Sequence, residues 1–353
     1  MKKKTILLLS SLLILLLIYC WVDFDFPSVT GVLSADWLSA DRQQNVNSYV
    51  QDDGDLQVFF CPHDNCEKVL VSFLDSAEQS IHCALFEIDL ASVQQKLLEK
   101  QKNIDVKIVT DNQYLKEFNH SFVKADKWGL MHNKFCVIDG KKISGGSMNP
   151  TNNCANKNNN NLLLINSKIL ANNYEEEFQE MWNGTFKGGN KVRNPAVSLE
   201  NPSGNIALIT LKNYFCPEDG CAYRVEEELK KAQKSIYFLA FSFTHESIAN
   251  ALLLKNMDNI TIKGVLEARQ ISEYSQFARL QHQGINVVKD GNKNNMHHKV
   301  FIIDEKTVIT GSFNPTAGGD EKNDENVLII EDKEIAKLFM KEFEYVWKEA
   351  NII

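Results

Sequence analysis

Short apolar runs alternate along the chain with longer amphipathic stretches. Leu56–Phe60 and Ser80–Ile88 predict strands, and Glu67–Gln79 and Ala91–Lys100 predict helices. Asp105–Thr110, Lys134–Ile138 and Leu162–Ile165 predict further strands; Lys134–Ile138 is the short apolar run of a buried strand. In Lys168–Trp182 the residues Ile169, Leu170, Tyr174, Phe178 and Met181 recur near helical spacing, which predicts a closing helix. The same order then repeats in the second half. Alternating β and α elements predict an α/β fold of mainly parallel sheets flanked by helices.

The repetition extends to identities. Ser80-Ile81 aligns with Ser235-Ile236 at an offset of 155, and from Val123 onward the offset is 165. Met131-His132-Asn133-Lys134 matches Met296-His297-His298-Lys299, and Phe178 and Trp182 match Phe343 and Trp347. The second copy carries about ten extra residues near Glu267–Ala278. A tandem duplication predicts two similar lobes related by a pseudo-twofold axis. The first repeat is placed at 55–187 and the second at 205–353. Gly188, Gly189, Pro195, Pro202 and Gly204 give 188–204 the composition of a linker. Asn156 and Asn158–Asn161 read as a polar loop entering a strand, and Trp182 and Trp347 as core residues.

Each copy carries His-x-Lys-x-x-x-x-Asp followed by Gly-Ser-x-Asn: His132, Lys134, Asp139, Gly146, Ser147 and Asn149, then His297, Lys299, Asp304, Gly311, Ser312 and Asn314. Residues two apart on a strand face one side, so each histidine points with its lysine. A cation beside a histidine is poor core material. It is suited to phosphate, which Lys meets as a point charge and Asn as a neutral donor. Around a pseudo-twofold axis two histidines and two lysines converge, so that one imidazole can attack phosphorus while the other protonates the leaving oxygen. The pair His297-His298 has no further support as a zinc site.

The duplicated motif resembles that of the phospholipase D superfamily, and the likeness covers roughly residues 55–350. It implies two tandem α/β lobes with the site between them. It also implies a two-step reaction through a covalent phosphohistidine, without metal or other cofactor. By position, His132 and His297 become nucleophile and acid, and Lys134, Lys299, Asn149 and Asn314 bind phosphate. Asp139 and Asp304 belong to the catalytic set as braces of the motif. Ser147 and Ser312 support the loop and the phosphate. Glu325 stands where family members often carry an acid that orients a histidine, and its counterpart in the first copy is Asn160. If Glu325 reaches across to the other repeat it supports His132 as nucleophile; if it serves its own repeat the roles exchange. With both half-sites in one chain, a monomer is expected.

The N-terminus adds a location. Lys2, Lys3 and Lys4 precede an apolar run from Ile6 to Val22, which predicts a single membrane anchor over 1–22, a polar stalk over 23–54 and an extracytoplasmic catalytic region. A cleaved signal peptide, or a lipid on Cys20, is the alternative. That compartment favours local disulfides Cys61–Cys66 and Cys216–Cys221 in the repeated C-P-x-D-x-C loops over a four-cysteine zinc site. Cys83, Cys136 and Cys154 are expected as buried free thiols. Three sequons, at Asn119, Asn183 and Asn259, matter only where the chain is glycosylated.

Composition narrows the function. A chain of 353 residues with 44% hydrophobic and 24% charged residues is an ordinary globular protein, and a net charge of −8 argues against a nucleic-acid coat. Lys124, Lys127, Lys157, Lys289, Lys293 and Lys322 lie near the motifs, either as a basic cleft rim or as solvated loop residues. The expected activity is phosphodiester hydrolysis on phospholipid at the membrane. The alternatives are an extracytoplasmic endonuclease of the same chemistry, a phosphatidyltransferase of the cardiolipin synthase kind, and a phosphate-binding protein without activity.

Overall fold

The computed structural model describes residues 49–127, 129–200 and 208–351. The apolar N-terminal segment, Cys20 and most of the expected stalk lie outside them. Among the described residues no helix is long and apolar enough to cross a membrane.

The chain runs through β1 (Val50–Asp53), β2 (Asp55–Cys61), α1 (Cys66–Asp75), β3 (Ser80–Leu85), α2 (Ala91–Lys100), β4 (Asp105–Thr110), β5 (Val123–Ala125), β6 (Leu130–Met131), β7 (Lys134–Ile138), β8 (Lys142–Gly146), α3 (Asn152–Asn156), β9 (Asn160–Asn166) and α4 (Lys168–Trp182). After β10 (Ala196–Glu200) the second repeat follows the same plan: β11 (Ile209–Cys216), α5 (Cys221–Lys230), β12 (Ser235–Ala240), α6 (Glu246–Met257), β13 (Thr261–Leu266), α7 (Phe277–His282), β14 (Asn286–Lys289), β15 (Lys299–Ile303), β16 (Thr307–Gly311), α8 (Ala317–Glu321), β17 (Asn323–Glu331) and α9 (Lys333–Ala350). Between β13 and β14 the longer second repeat has a 3₁₀ turn at Ala268–Gln270 followed by α7, where the first repeat has only a 3₁₀ turn at Leu115–Glu117.

One sheet is ordered β2-β9-β8-β7-β3-β4-β5, and the other β1-β10-β11-β17-β16-β15-β12-β13-β14, with β6 of the first repeat pairing β17. Each sheet is buried on both faces. Along β7, Phe135 and Val137 enter a central core, while Cys136 and Ile138 enter an outer core against α1 and α2. Along β15, Val300 and Ile302 point to the same central core, and Phe301 and Ile303 to a second outer core with α5 and α6. The long helices α4 and α9 both supply the central core, through Leu170, Tyr174, Phe178, Phe339 and Phe343. Double burial explains the near-continuous apolar strands.

The fold class is α/β, but the strands are not mainly parallel. In the first sheet β3·β4 and β4·β5 are parallel and the other four pairings antiparallel. The cause is the tight turn after each motif strand. Asp139 and Gly140 have φ of 55° and 59°, and Asp304 and Glu305 of 53° and 52°, so β7 and β15 fold straight back on β8 and β16. Two boundaries also move. Val50–Asp53, at the end of the expected stalk, pairs in parallel with Val197–Glu200, inside the expected linker, so both segments belong to the second sheet.

The two local disulfides, Cys61–Cys66 and Cys216–Cys221, are present. The expectation of three buried thiols is corrected: Cys83 and Cys136 form a third disulfide, and Cys154 alone is free among the described cysteines. Cys83 and Cys136 stand directly opposite on antiparallel β3 and β7, where cross-strand Cβ atoms come closest. Since 53 residues separate them, the bridge constrains a long loop of the unfolded chain. Replacing both by alanine is expected to lower the unfolding free energy by about 4 kcal/mol, read by chemical denaturation.

Candidate active site

His132 and His297 enter the site just before β7 and β15. Each is held by the other repeat. The His132 amide donates to the Asp324 carbonyl at 3.0 Å, and the His297 amide to the Asn159 carbonyl at 2.9 Å. The neighbouring residues lock the same seam: Asn326 donates to the Asn133 side chain at 2.7 Å, and the Asn161 amide meets His298 Nδ1 at 3.1 Å. His298 turns inward, with Nε2 3.0 Å from Glu342, which accounts for both its ring nitrogens without a metal.

The imidazoles are oriented crosswise too. His132 Nδ1 lies 2.8 Å from a Glu325 oxygen, and His297 Nδ1 lies 2.9 Å from the Asn160 amide oxygen. Glu325 and Asn160 are fully buried. An Nδ1–H donated to either acceptor leaves the Nε2 lone pair for chemistry. The difference between the repeats is therefore a carboxylate behind His132 and a neutral amide behind His297.

The Gly-Ser-x-Asn turns make room for this clamp. A Cβ on Gly146 would sit 2.6 Å from the Asn161 carbonyl oxygen, and one on Gly311 2.3 Å from the Asn326 carbonyl oxygen; both glycines also have positive φ. Of the two roles expected of Ser147 and Ser312, support of the loop and of the phosphate, the contacts are those of the first. Their hydroxyls accept the Asn161 and Asn326 amides at 3.0 and 2.9 Å, and Ser147 donates to Asn160 at 3.1 Å. Neither lines the cavity. Asp139 and Asp304 stand away from the chemistry altogether. Asp139 accepts the backbone N–H groups of Glu78, Gln79 and Ser80, and Asp304 those of Gln233, Lys234 and Ser235, tying each hairpin to the start of β3 or β12. Both therefore hold the hairpins in place, in line with their reading as braces of the motif, and neither touches the reacting groups.

Between the lobes lies a cavity of about 470 Å³, lined by His132, His297, Asn149 and Asn314 together with residues of both walls. Asn149 and Asn314 each leave an amide oxygen without a protein partner. An amide in that condition awaits a ligand, and turned over it offers N–H groups to a phosphate oxygen. Lys134 and Lys299 are buried, and each ammonium donates to the carbonyl of its own motif histidine, at 2.6 and 2.8 Å. None of Lys124, Lys127, Lys157, Lys289, Lys293 or Lys322 lines the cavity. Lys124 instead donates to the Trp182 carbonyl at 2.9 Å and lies over that half-buried indole.

Burial sets the protonation states. It drives the pKa of His132 and His297 well below 6.5, with the two lysine charges adding to the effect. It lowers Lys134 to about 8, lowers Lys299 strongly, and raises Glu325 to about 7 against the pull of Lys134. A phosphate between the lobes supplies the missing negative charge: it favours protonated lysines and lets a histidine take up the proton an acid must carry.

Several site residues escaped sequence reasoning. Asn158–Asn161, read as a loop, are all buried at the seam. The repeat offset held the clue, because it maps them onto Asn323–Asn326. Phe86 and Phe241 press edge-on against His132 and His297, with centroids 4.8 and 4.6 Å away. They follow β3 and β12 at equivalent positions.

The sequence matches the family described as "Cardiolipin synthase, PLD-like domain" over residues 70–182 and 225–347, which take in both motifs. The chain belongs to the phospholipase D-like family. By that membership it is a phospholipase D-like phosphodiesterase. It is similar to the phospholipase D of Rickettsia prowazekii, 32% identical over 164 residues that cover 44% of this chain and 80% of that one. Other Rickettsia relatives are spanned for 63% to 64% of their length. A mitochondrial cardiolipin hydrolase of Xenopus laevis is 33% identical over 148 residues, 41% of this chain and 70% of the relative. The fold is that of a phosphatidylserine synthase from Haemophilus influenzae, with a TM-score of 0.61 at 12% identity, over 88% of this chain and 90% of that one.

In this phospholipase D-like enzyme the neutral partner of His297 is the departure to test. Asn160→Asp places a carboxylate there and is expected to raise the His297 pKa by about 1–3 units, since an opposite charge favours the imidazolium. NMR titration of His297 reads the shift; an unmoved His297 would show that Asn160 does not set its charge.

Proposed function

We propose that this enzyme hydrolyses phospholipids at a membrane surface through a covalent phosphohistidine, with His132 as nucleophile and His297 as general acid. The observation that carries the role assignment is the Glu325–His132 contact. When Nε2 bonds to phosphorus the ring becomes cationic, and of the two histidines His132 is the one whose Nδ1 meets a buried carboxylate. His132 Nε2 attacks phosphorus, the bond to the head-group oxygen breaks, and His297 gives that oxygen its proton. Neutral His297 then takes a proton from water; the resulting hydroxide attacks phosphorus, the P–N bond breaks, and phosphatidate leaves. Lys134, Lys299, Asn149 and Asn314 hold the phosphate oxygens throughout.

The choice of lipid over nucleic acid rests on the cavity wall. Apart from Lys134 and Lys299, buried beside the motif histidines, no Lys or Arg stands at the described wall of the cavity, whereas a groove for a polyanionic strand is basic along its length. The relatives named as phospholipase D and cardiolipin hydrolase, and the apolar segment Ile6–Val22, support the same reading.

Two measurements test it. In EDTA, wild type is expected to release phosphatidate from mixed phospholipid vesicles and leave single- and double-stranded DNA and RNA intact, with His132→Asn folded and inactive. Cleaved nucleic acid beside untouched lipid would replace the lipid reading with an anchored nuclease. Turnover is expected to follow a bell in pH. It rises as Glu325 ionises at about 7 and falls as Lys134 loses its proton at about 8. Glu325→Gln is expected to flatten the acid limb and to lower kcat roughly 10²–10⁴-fold.

A further inference from the structure

A separate cavity of about 530 Å³ opens at the edge of the first repeat's sheet, between β5 and the C-terminus of α4. Its described wall holds Lys124, Lys127 and Lys187 with Met181, Trp182 and Phe186, and no Asp or Glu. All three lysines are exposed, and none has an ion-pair partner among the described residues. Two carboxylates in the vicinity, Asp126 and Asp324, are buried and accept the backbone amides of Asn112 and Lys187. In a chain of net charge −8, this is a corner of concentrated positive charge.

The second repeat finishes the same corner differently. The offset of 165 maps Ala125 to Asp290, Gly184 to Glu349 and Lys127 to Asn292, so two acids stand there and one cation is gone. Lys289, the counterpart of Lys124, lies over Phe277 of α7 at 5.7 Å. The first repeat has only a 3₁₀ turn in place of α7, and Lys124 lies over Trp182 at 4.0 Å. What helix and charge close in one repeat is left open in the other. The rings then decide between polyanions. Trp182 stacks on Phe178 with centroids 6.0 Å apart and carries the Lys124 ammonium, so its face is already taken as a platform for a nucleic-acid base. Lysines around half-buried Trp182 and Phe186 suit instead the boundary between acyl chains and anionic head groups.

We propose that this corner docks the enzyme on the anionic lipids of a bilayer, with Lys127 and Lys187 meeting head-group charges and Phe186 entering the interface. The position couples it to the active site. The Lys187 side chain lies against Gly129, where a Cβ would collide with its Cε, and the next residue, Leu130, lines the active-site cavity. The Lys187 amide is fixed on Asp324, one residue before Glu325. A bilayer held here therefore lies beside the cavity mouth. The surface rests on the lipid reading above and goes beyond it, because it senses the charge of the surrounding membrane and not the phosphodiester being cut.

The test reconstitutes the full chain in vesicles of phosphatidylcholine, alone or mixed with cholesteryl hemisuccinate, an anionic lipid that contains no phosphodiester. Acylation of each lysine is read by mass spectrometry and phosphatidate release is followed in parallel. The anionic lipid is expected to protect Lys127 and Lys187 about fivefold, to leave Lys141 and Lys306 as they are, and to raise kcat/KM about fivefold, an effect that high salt removes. Lys127→Glu, and separately Lys127→Gln with Lys187→Gln, are expected to lose the activation while cleaving soluble bis(p-nitrophenyl) phosphate at the wild-type rate. Lipid cleaved equally on both kinds of vesicle, with Lys127 and Lys187 unprotected, would overturn the docking surface and keep lipid hydrolysis. Protection on anionic vesicles without lipid cleavage would keep the surface and sink the lipid reading. Protection by a single-stranded oligonucleotide and not by vesicles would overturn the surface as a lipid site and make it part of a strand-binding path.

Discussion

The site depends on a hydrogen bond that crosses between repeats. Glu325 leaves β17 of the second repeat and meets His132 of the first at 2.8 Å. The backbone amide of the same histidine is fixed on Asp324, one residue earlier on that strand. Neither half of the chain holds its own motif histidine. The serine hydroxyls beneath the crossing strands, and the glycines that let those strands approach, serve this contact and its counterpart at Asn160. So does the central core, because α4 and α9 fill the space between two sheets that must stay in register for both rings to face one cavity.

What the protein assembles there is costly without its ligand. Two lysines and two histidines are desolvated together, and the lysine charges lower the proton affinity of both histidines further. Two asparagine oxygens lack partners. A phosphate relieves the first condition by bringing negative charge to the cations, and its oxygens accept the N–H groups of the two asparagines once those amides turn over. The free site is therefore preorganised for charge it does not contain, and the substrate's own phosphate completes the electrostatics.

Much of this was legible along the chain, and the gaps have physical causes. The helices Ala91–Lys100 and Lys168–Trp182 and the strand Lys134–Ile138 follow from apolar spacing, and the convergence of the two motifs from their shared offset. Strand direction was misjudged because burial on both faces produces the same apolar runs in parallel and antiparallel strands; the information lay in the short turn at Asp139-Gly140. The Cys83–Cys136 bridge needs two strands to be neighbours, which no local pattern announces. The run Asn158–Asn161 looked like a loop because asparagines are rarely buried. Here their amides pair across the seam, and such pairing is visible only once the repeats are docked.

The crossed arrangement has an evolutionary consequence. An assembly of two identical chains must repeat every residue on both sides of its axis, so a carboxylate behind one histidine would stand behind the other as well. Joining the copies in a single polypeptide lifts that constraint. Each position can then drift on one side alone, and Glu325 opposite Asn160 is a combination open only to a fused pair. A phosphodiester has two unlike ends, and a covalent tandem can become as lopsided as the molecule it cuts.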